Sequence, residues 1–196
     1  MRTTVERIIL GIDPGTTIMG YGVLRVEGTS ATLLDAGAIR FNTADDHTLK
    51  LRAIYQETTR IIAKHHPDEL AIEAQFFGKN VQSMLKLGRA QGVAIAAALQ
   101  RELAVVEYAP KRIKQSVTGN GNASKEQVAA MLLSILKVAE LPASTDATDA
   151  IAVALCHHFA LSGKVVRSGP GRSSPAKASQ GWASFVRNNP DRLKKP

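Results

Sequence analysis

The sequence predicts an α/β fold: a mixed five-stranded sheet, made of an antiparallel three-strand meander plus parallel strands and flanked by helices. Three observations carry that expectation. Ile8 to Ile12 is an apolar run that ends on Asp13. Two strand-like runs follow it, separated by a short turn signal, and beyond residue 48 helical periodicity alternates with short apolar runs. That last alternation is the pattern of parallel crossover units.

Taken in order, Ile8 to Ile12 reads as a continuous buried strand, cut off by the turn residues of "DPGTT". Met19 to Glu27 and Ala31 to Phe41 are the next two strands, divided by Gly28-Thr29-Ser30. From Thr48 to His65, Leu51, Ile54, Ile61 and Ile62 recur at helical spacing, and Pro67 stops the segment. Leu70 to Glu73 is a short strand that again ends on a carboxylate. Lys79 to Gln100 reads as a long helix, Leu103 to Tyr108 as a strand, and Pro110 as the first-turn residue of a short basic helix. Ser124 with Gln127 has the capping-box pattern, and Ser144 or Thr145 caps a last helix ending near Gly163.

One folded domain is therefore expected over residues 1–163. Residues 164–196 are rich in Gly, Ser, Pro and basic side chains, too poor in apolar groups to repay ordering, and are expected to form a disordered tail. Trp182 and Phe185 are its exceptions and would suit a short docking element.

The net charge of +8 is unevenly placed. The tail carries eight Lys/Arg against one acid, and residues 79 to 125 carry eight against two. Residues 1 to 78 have eight against ten, and residues 126 to 163 have one against four. A basic middle between acidic segments suggests a polyanion-binding surface beside a carboxylate-bearing site; a plain solvated basic face is the alternative. The single cysteine, Cys156, sits in an apolar stretch and reads as buried, and no Cys/His cluster has zinc-ligand spacing. Ile8 to Ile12 is too short for a signal or membrane segment, so a cytoplasmic chain is expected.

Four carboxylates then stand out. Asp13 and Glu73 end strands, and Asp146 and Asp149 open the last helix, three residues apart and so on one face. Each has a plain explanation, as turn chemistry or as a favourable charge at a helix start. Together they fall on one edge of the predicted sheet, where ligands of open α/β sheets bind. Close carboxylates repel unless divalent cations lie between them, and an all-oxygen set favours magnesium or manganese over zinc.

The ordered blocks "GIDPGTTIMGYGV", "AIEAQFFGKNVQSMLKLGRAQGV", "VEYAPKRIKQSVTGNGNASKEQV" and "TDATDAIAVALCHH" strongly resemble the RuvC Holliday junction resolvases, a branch of the ribonuclease H-like superfamily. The resemblance covers roughly residues 7 to 162. It implies that Asp13, Glu73, Asp146 and Asp149 hold two catalytic Mg²⁺ ions, with Mn²⁺ as a substitute, for phosphodiester hydrolysis to 5′-phosphate and 3′-hydroxyl ends. It implies an aromatic at Phe76 stacking at the strand crossover, with Phe77 the alternative. Lys114 and Lys125 match lysines needed for activity, and Lys79, Lys111 and Arg112 would add phosphate contacts that position DNA without reading bases.

The helix from Lys79 carries Gly88, Gly92 and Ala96 at intervals of four, a face of nearly bare backbone. It could pack on its own sheet or against a second helix. The family is a two-fold dimer through this helix, which suits a four-way DNA junction with two symmetric strands to cut. The resemblance also implies contact with the RuvA–RuvB branch-migration complex. His157 and His158 lie far along the last helix and read as structural.

Three rivals remain from the residues. "DPGTT" also looks like the first phosphate loop of actin-like and sugar kinases, although one domain and no Walker A loop argue against a phosphotransferase. A non-catalytic junction- or RNA-binding module on the same scaffold would be expected to lack a carboxylate, and none is missing. A ribonuclease H-like nuclease acting on structured RNA is the third.

Overall fold

The computed structural model describes residues 5–42, 44–75 and 80–163. Phe76, Lys79, Trp182 and Phe185, and with them the expected tail, lie outside the described residues.

Five strands form one sheet in the order β3-β2-β1-β4-β5. They are β1 (Glu6–Asp13), β2 (Ile18–Glu27), β3 (Ser30–Arg40), β4 (Glu69–Glu73) and β5 (Ala104–Tyr108). β1, β2 and β3 pair antiparallel as the expected meander, while β4 joins β1 and β5 joins β4 in parallel. The turn between β2 and β3 is tight because Gly28 takes a left-handed φ of 58°.

The helices are α1 (His47–His65), α2 (Val81–Leu99), α3 (Pro110–Thr118), α4 (Lys125–Leu136) and α5 (Thr145–Leu161). Each end has a local cause. Asp46 caps α1 by accepting from the Leu49 N–H at 2.8 Å, and His66 ends it in a left-handed conformation just before Pro67. Pro110 opens α3, and the capping box of Ser124 and Gln127 is complete at α4. At α5, Ser144 is the N-cap residue but makes no side-chain cap bond; its hydroxyl donates to the Asp146 carboxylate at 3.0 Å.

Strand alternation sorts the core into two layers. Leu10, Ile12, Met19, Val23, Leu70 and Ile72 point to one face and pack with Ile54, Ile61, Ala90 and Ala94 of α1 and α2. Ile9, Leu24, Val26 and Ala71 point to the other face and pack with α3, α4 and above all α5. From Ala147 to Phe159, α5 is buried except at Thr148 and Asp149, as an apolar helix in the middle of a layer should be.

Candidate active site

The same alternation aims the strand carboxylates. Ile9 and Gly11 face α5, so Asp13, two residues further, faces it too; Ala71 faces α5, and so therefore does Glu73. β1 and β4 run side by side with Ile12 opposite Ile72, which places Asp13 and Glu73 as neighbours where both strands end. The first two turns of α5 arrive over the same edge and bring Asp146 and Asp149.

α5 can come that close because the strands under it carry no side chains there. A methyl group on Gly20 would collide with the carbonyl oxygen of Asp146, and one on Gly11 with that of Ala150. On Gly22 a methyl would meet the Ile151 side chain at 2.8 Å. Since Gly20 is the register partner of Asp13, the bare backbone of Gly20 is what sets Asp146 beside Asp13. From the sequence these three glycines have no assigned part in the site; the available signal is Gly20 and Gly22 at alternate positions of β2, with Gly11 on β1.

Asp13, Glu73 and Asp149 line one cleft of about 290 Å³ together with Lys114, Lys125, Pro110 and Ile113. Burial, and then the charges of Glu73, Asp149 and Asp146, push the Asp13 carboxyl up to about 7. Burial, followed by Asp149, pushes Glu73 up to about 7 as well. Lys125 opposes both shifts: its ammonium bonds Asp149 Oδ2 at 2.7 Å, and that bond raises its own pKa. Lys114 also favours the ionised form of Glu73.

A cluster of oxygen donors only partly offset by two lysines, with two of its carboxyls about half-protonated at neutral pH, fits hard divalent cations. Among the described residues no three acidic, His or Cys side chains already close around a metal position. Asp149 accepts from Lys125, and Asp146 accepts from the Ser144 hydroxyl.

The other predicted residues are spread more widely. Lys111 lies along the Gly121 backbone, where an added methyl would meet its Cγ at 2.7 Å. Arg112 stands 5.6 Å over the Tyr108 ring and lines a different cavity with Cys156 and Phe159. Gly88, Gly92 and Ala96 are exposed, and a methyl on either glycine would meet nothing within 4 Å, so this face does not pack on its own sheet. Cys156 is buried as expected.

His157 and His158 are buried, and His157 ties the far end of α5 to the sheet. Its Nδ1 lies 2.8 Å from the Tyr108 hydroxyl, its Nε2 lies 2.6 Å from Glu69, and Arg7 meets the other Glu69 oxygen at 2.6 Å. A ring that accepts from Tyr108 and donates to Glu69 satisfies all three groups.

The sheet order, the helix layers and the acids gathered where β1 and β4 end define a ribonuclease H-like α/β protein. The chain belongs to the family described as crossover junction endodeoxyribonuclease RuvC, whose pattern matches residues 9–157. A RuvC of Porphyromonas gingivalis is 54% identical over 192 residues, covering 96% of this chain and 98% of its own. One of Cytophaga hutchinsonii is 53% identical over 191 residues, covering 97% and 90%. Among solved structures, T. thermophilus RuvC in complex with Holliday junction substrate superposes with a TM-score of 0.76 at 32% identity, covering 80% of this chain and 96% of that one. The yeast mitochondrial Holliday junction resolvase shares the fold, with a TM-score of 0.59 at 13% identity over 76% of each chain. Membership of this family sets aside the phosphotransferase reading. Among the described residues no helix is long and apolar enough to cross a membrane.

Proposed function

We propose that this protein is a structure-selective DNA endonuclease that resolves four-way junctions in recombination and repair by paired, symmetric nicks with 5′-phosphate and 3′-hydroxyl ends. The observation that carries the reading is the cleft in which Asp13, Glu73 and Asp149 meet two lysines, on a chain of the RuvC family. Asp13, Glu73, Asp146 and Asp149 would hold the divalent ions, two Mg²⁺ with Mn²⁺ as a substitute. When bound, such ions activate water and stabilise the leaving oxygen of an in-line displacement.

The chain's own residues divide the remaining work. Lys114 and Lys125 hold the strand's phosphates at the cleft by charge, and Lys125 gives up Asp149 as it does so. Phe76 stacks on a loosened base at the crossover, and Lys79, Lys111 and Arg112 add phosphate contacts along the arms. Two copies pair through the exposed face of α2 at Gly88, Gly92 and Ala96, which presents two equivalent clefts to the two strands of one junction. Residues 1–163 form the nuclease domain and residues 164–196 a separate basic tail. A RuvA–RuvB complex is the expected partner assembly in the cytoplasm.

The test is a labelled mobile junction incubated with Mg²⁺ and either the wild type or Asp13→Asn. Paired, religatable nicks in the wild type, lost in the variant while junction binding persists, are expected. A wild type that cuts structured RNA or linear duplex as fast as the junction overturns the reading.

A further inference from the structure

The catalytic edge of the sheet has a second side. β3 runs parallel to β1, because both are antiparallel to β2, and the register Asp13–Gly20–Ala38 shows that β3 also ends at this edge. α1 starts shortly after β3, and α2 starts shortly after Glu73. Both helix starts thus lie on the edge that carries the carboxylates, but on the sheet face opposite α5.

There the first turn of α1 and the second and third turns of α2 bring a cationic group together. His47 and Lys50 stand on α1, and Lys86 and Arg89 on α2. At 1.5 Å per residue these lie within roughly 12 Å of their helix starts. Burial and then Arg89, Lys86 and Lys50 hold the His47 ring below its ordinary pKa, opposed by Asp46. Neither helix has an acid in its first turn, and among the described residues neither Lys86 nor Arg89 is paired with a carboxylate. His47 Nε2 is buried and has no hydrogen-bond partner among the described residues. A buried polar atom left unpaired beside three cations is costly for the free protein and calls for an anionic acceptor.

The patch is also separate from the glycine face of α2. Lys86, Arg89 and Val93 share one side of the helix, and Val93 packs into the core that includes α1. Leu85, Gly88, Gly92, Ala96 and Leu99 lie on the neighbouring, exposed side. A second copy seated on that side leaves the cationic patch at the rim of the pair.

We propose that His47, Lys50, Lys86 and Arg89 form a second phosphate-binding site, which holds the sugar–phosphate backbone of a duplex DNA arm across the sheet edge from the carboxylate cleft. The proposal rests on the nuclease reading above and deepens it. The cleft engages the strand to be cut, and this patch engages the arm leading to it, so the patch governs affinity and leaves the chemical step alone.

The experiment compares wild type with Lys86→Gln/Arg89→Gln, both exposed positions, by binding a four-way junction in Ca²⁺ across a salt series. The double variant should lower the slope of log affinity against log salt by about 1.8, since each lost phosphate contact on B-form DNA removes about 0.9. Its melting temperature and its cleavage rate at saturating protein should match the wild type. With arms truncated to a few base pairs, both proteins should bind alike. In ¹⁵N spectra, the His47 Nε2 signal should move when long-armed junction is added to the wild type and stay fixed in the double variant. Unchanged slope and affinity in the double variant, with wild type cutting the junction normally, overturn this site alone; a wild type that neither prefers nor cuts the junction overturns the nuclease reading itself.

Discussion

Lys125 Nζ lies 2.7 Å from Asp149 Oδ2, an ion pair inside the cleft that joins the first turn of α4 to the second turn of α5. The lysine side chain is 59% exposed and the aspartate 26%, so the pair sits in well-solvated surroundings and contributes only ~0–1 kcal/mol to folding. Its effect on the cleft is larger, because it supplies a positive charge felt by Asp13 and Glu73 as well. Lys125→Met should therefore leave the melting temperature nearly unchanged while junction cutting falls by about 10²–10³-fold, the scale seen when one charge-stabilising group is removed from an active site. A variant that cuts at the wild-type rate would take Lys125 out of the mechanism.

The metal-free cleft should also sense pH. In the unfolded chain Asp and Glu titrate near 4, whereas Asp13 and Glu73 are pushed up to about 7 in the fold. Between those values the folded protein binds more protons than the unfolded one. Stability of the metal-free protein therefore declines as pH rises from about 4 to 7 and levels off above. A divalent cation needs these carboxylates ionised, so below about pH 7 it must displace their protons. Mg²⁺ affinity should rise with pH up to about 7 and then plateau. Calorimetry of Mg²⁺ binding in buffers of different ionisation enthalpy should show proton release near pH 6 and almost none at about pH 8. Equal release at both would contradict the raised carboxyls.

Much of this arrangement was legible in the chain. Asp13 and Glu73 stood out because an apolar strand that stops on an acid is an unusual place to put a charge, and strand alternation then aims both at one face. The Lys125–Asp149 pair was not legible, since 24 residues separate its members and only the docking of two helices joins them. Nor could the glycine face of α2 be oriented: a stripe at intervals of four fits packing on the sheet or on a partner equally well. Which side of α2 meets the sheet is decided by Ala90, Ala94, Ala97 and Ala98, whose burial depends on the rest of the fold. Glycines in strands have several explanations, and Gly11, Gly20 and Gly22 became meaningful only with α5 lying on them.

Gly20→Ala tests that seat. The new methyl has no room against the Asp146 carbonyl, which is backbone and can yield only if the start of α5 lifts. Overpacking of this kind costs about 1–3 kcal/mol, and here the lift would carry Asp146 away from Asp13. Thermal denaturation should show the loss, and Mg²⁺ should stabilise the variant less than the wild type. Gly88→Ala, where a methyl meets only open space, should be at least as stable as the wild type because alanine favours a helix by up to ~1 kcal/mol over glycine. If both substitutions had the same effect, the close seating of α5 would not be what Gly20 provides.

The exposed face of α2 gives the last prediction. Val81, Leu85 and Leu99 are 64%, 52% and 58% exposed, and they flank Gly88, Gly92 and Ala96 on one side of the helix. An apolar stripe with bare backbone at its centre lets a second helix approach closely, and two copies that use the same face form a closed two-fold pair. Gly92→Glu places a charged side chain in the middle of that face without touching the core of its own chain, since the position opens to empty space. The variant should fold with a near-normal melting temperature at high dilution. In analytical ultracentrifugation at micromolar concentration it should sediment as the single 21.0 kDa chain, while the wild type sediments at twice that mass. A monomer should still nick a junction, but the two nicks should lose their pairing in time, because each cut then needs its own encounter. A wild type that is monomeric under the same conditions, or a variant that remains dimeric, would place the interface elsewhere or remove it.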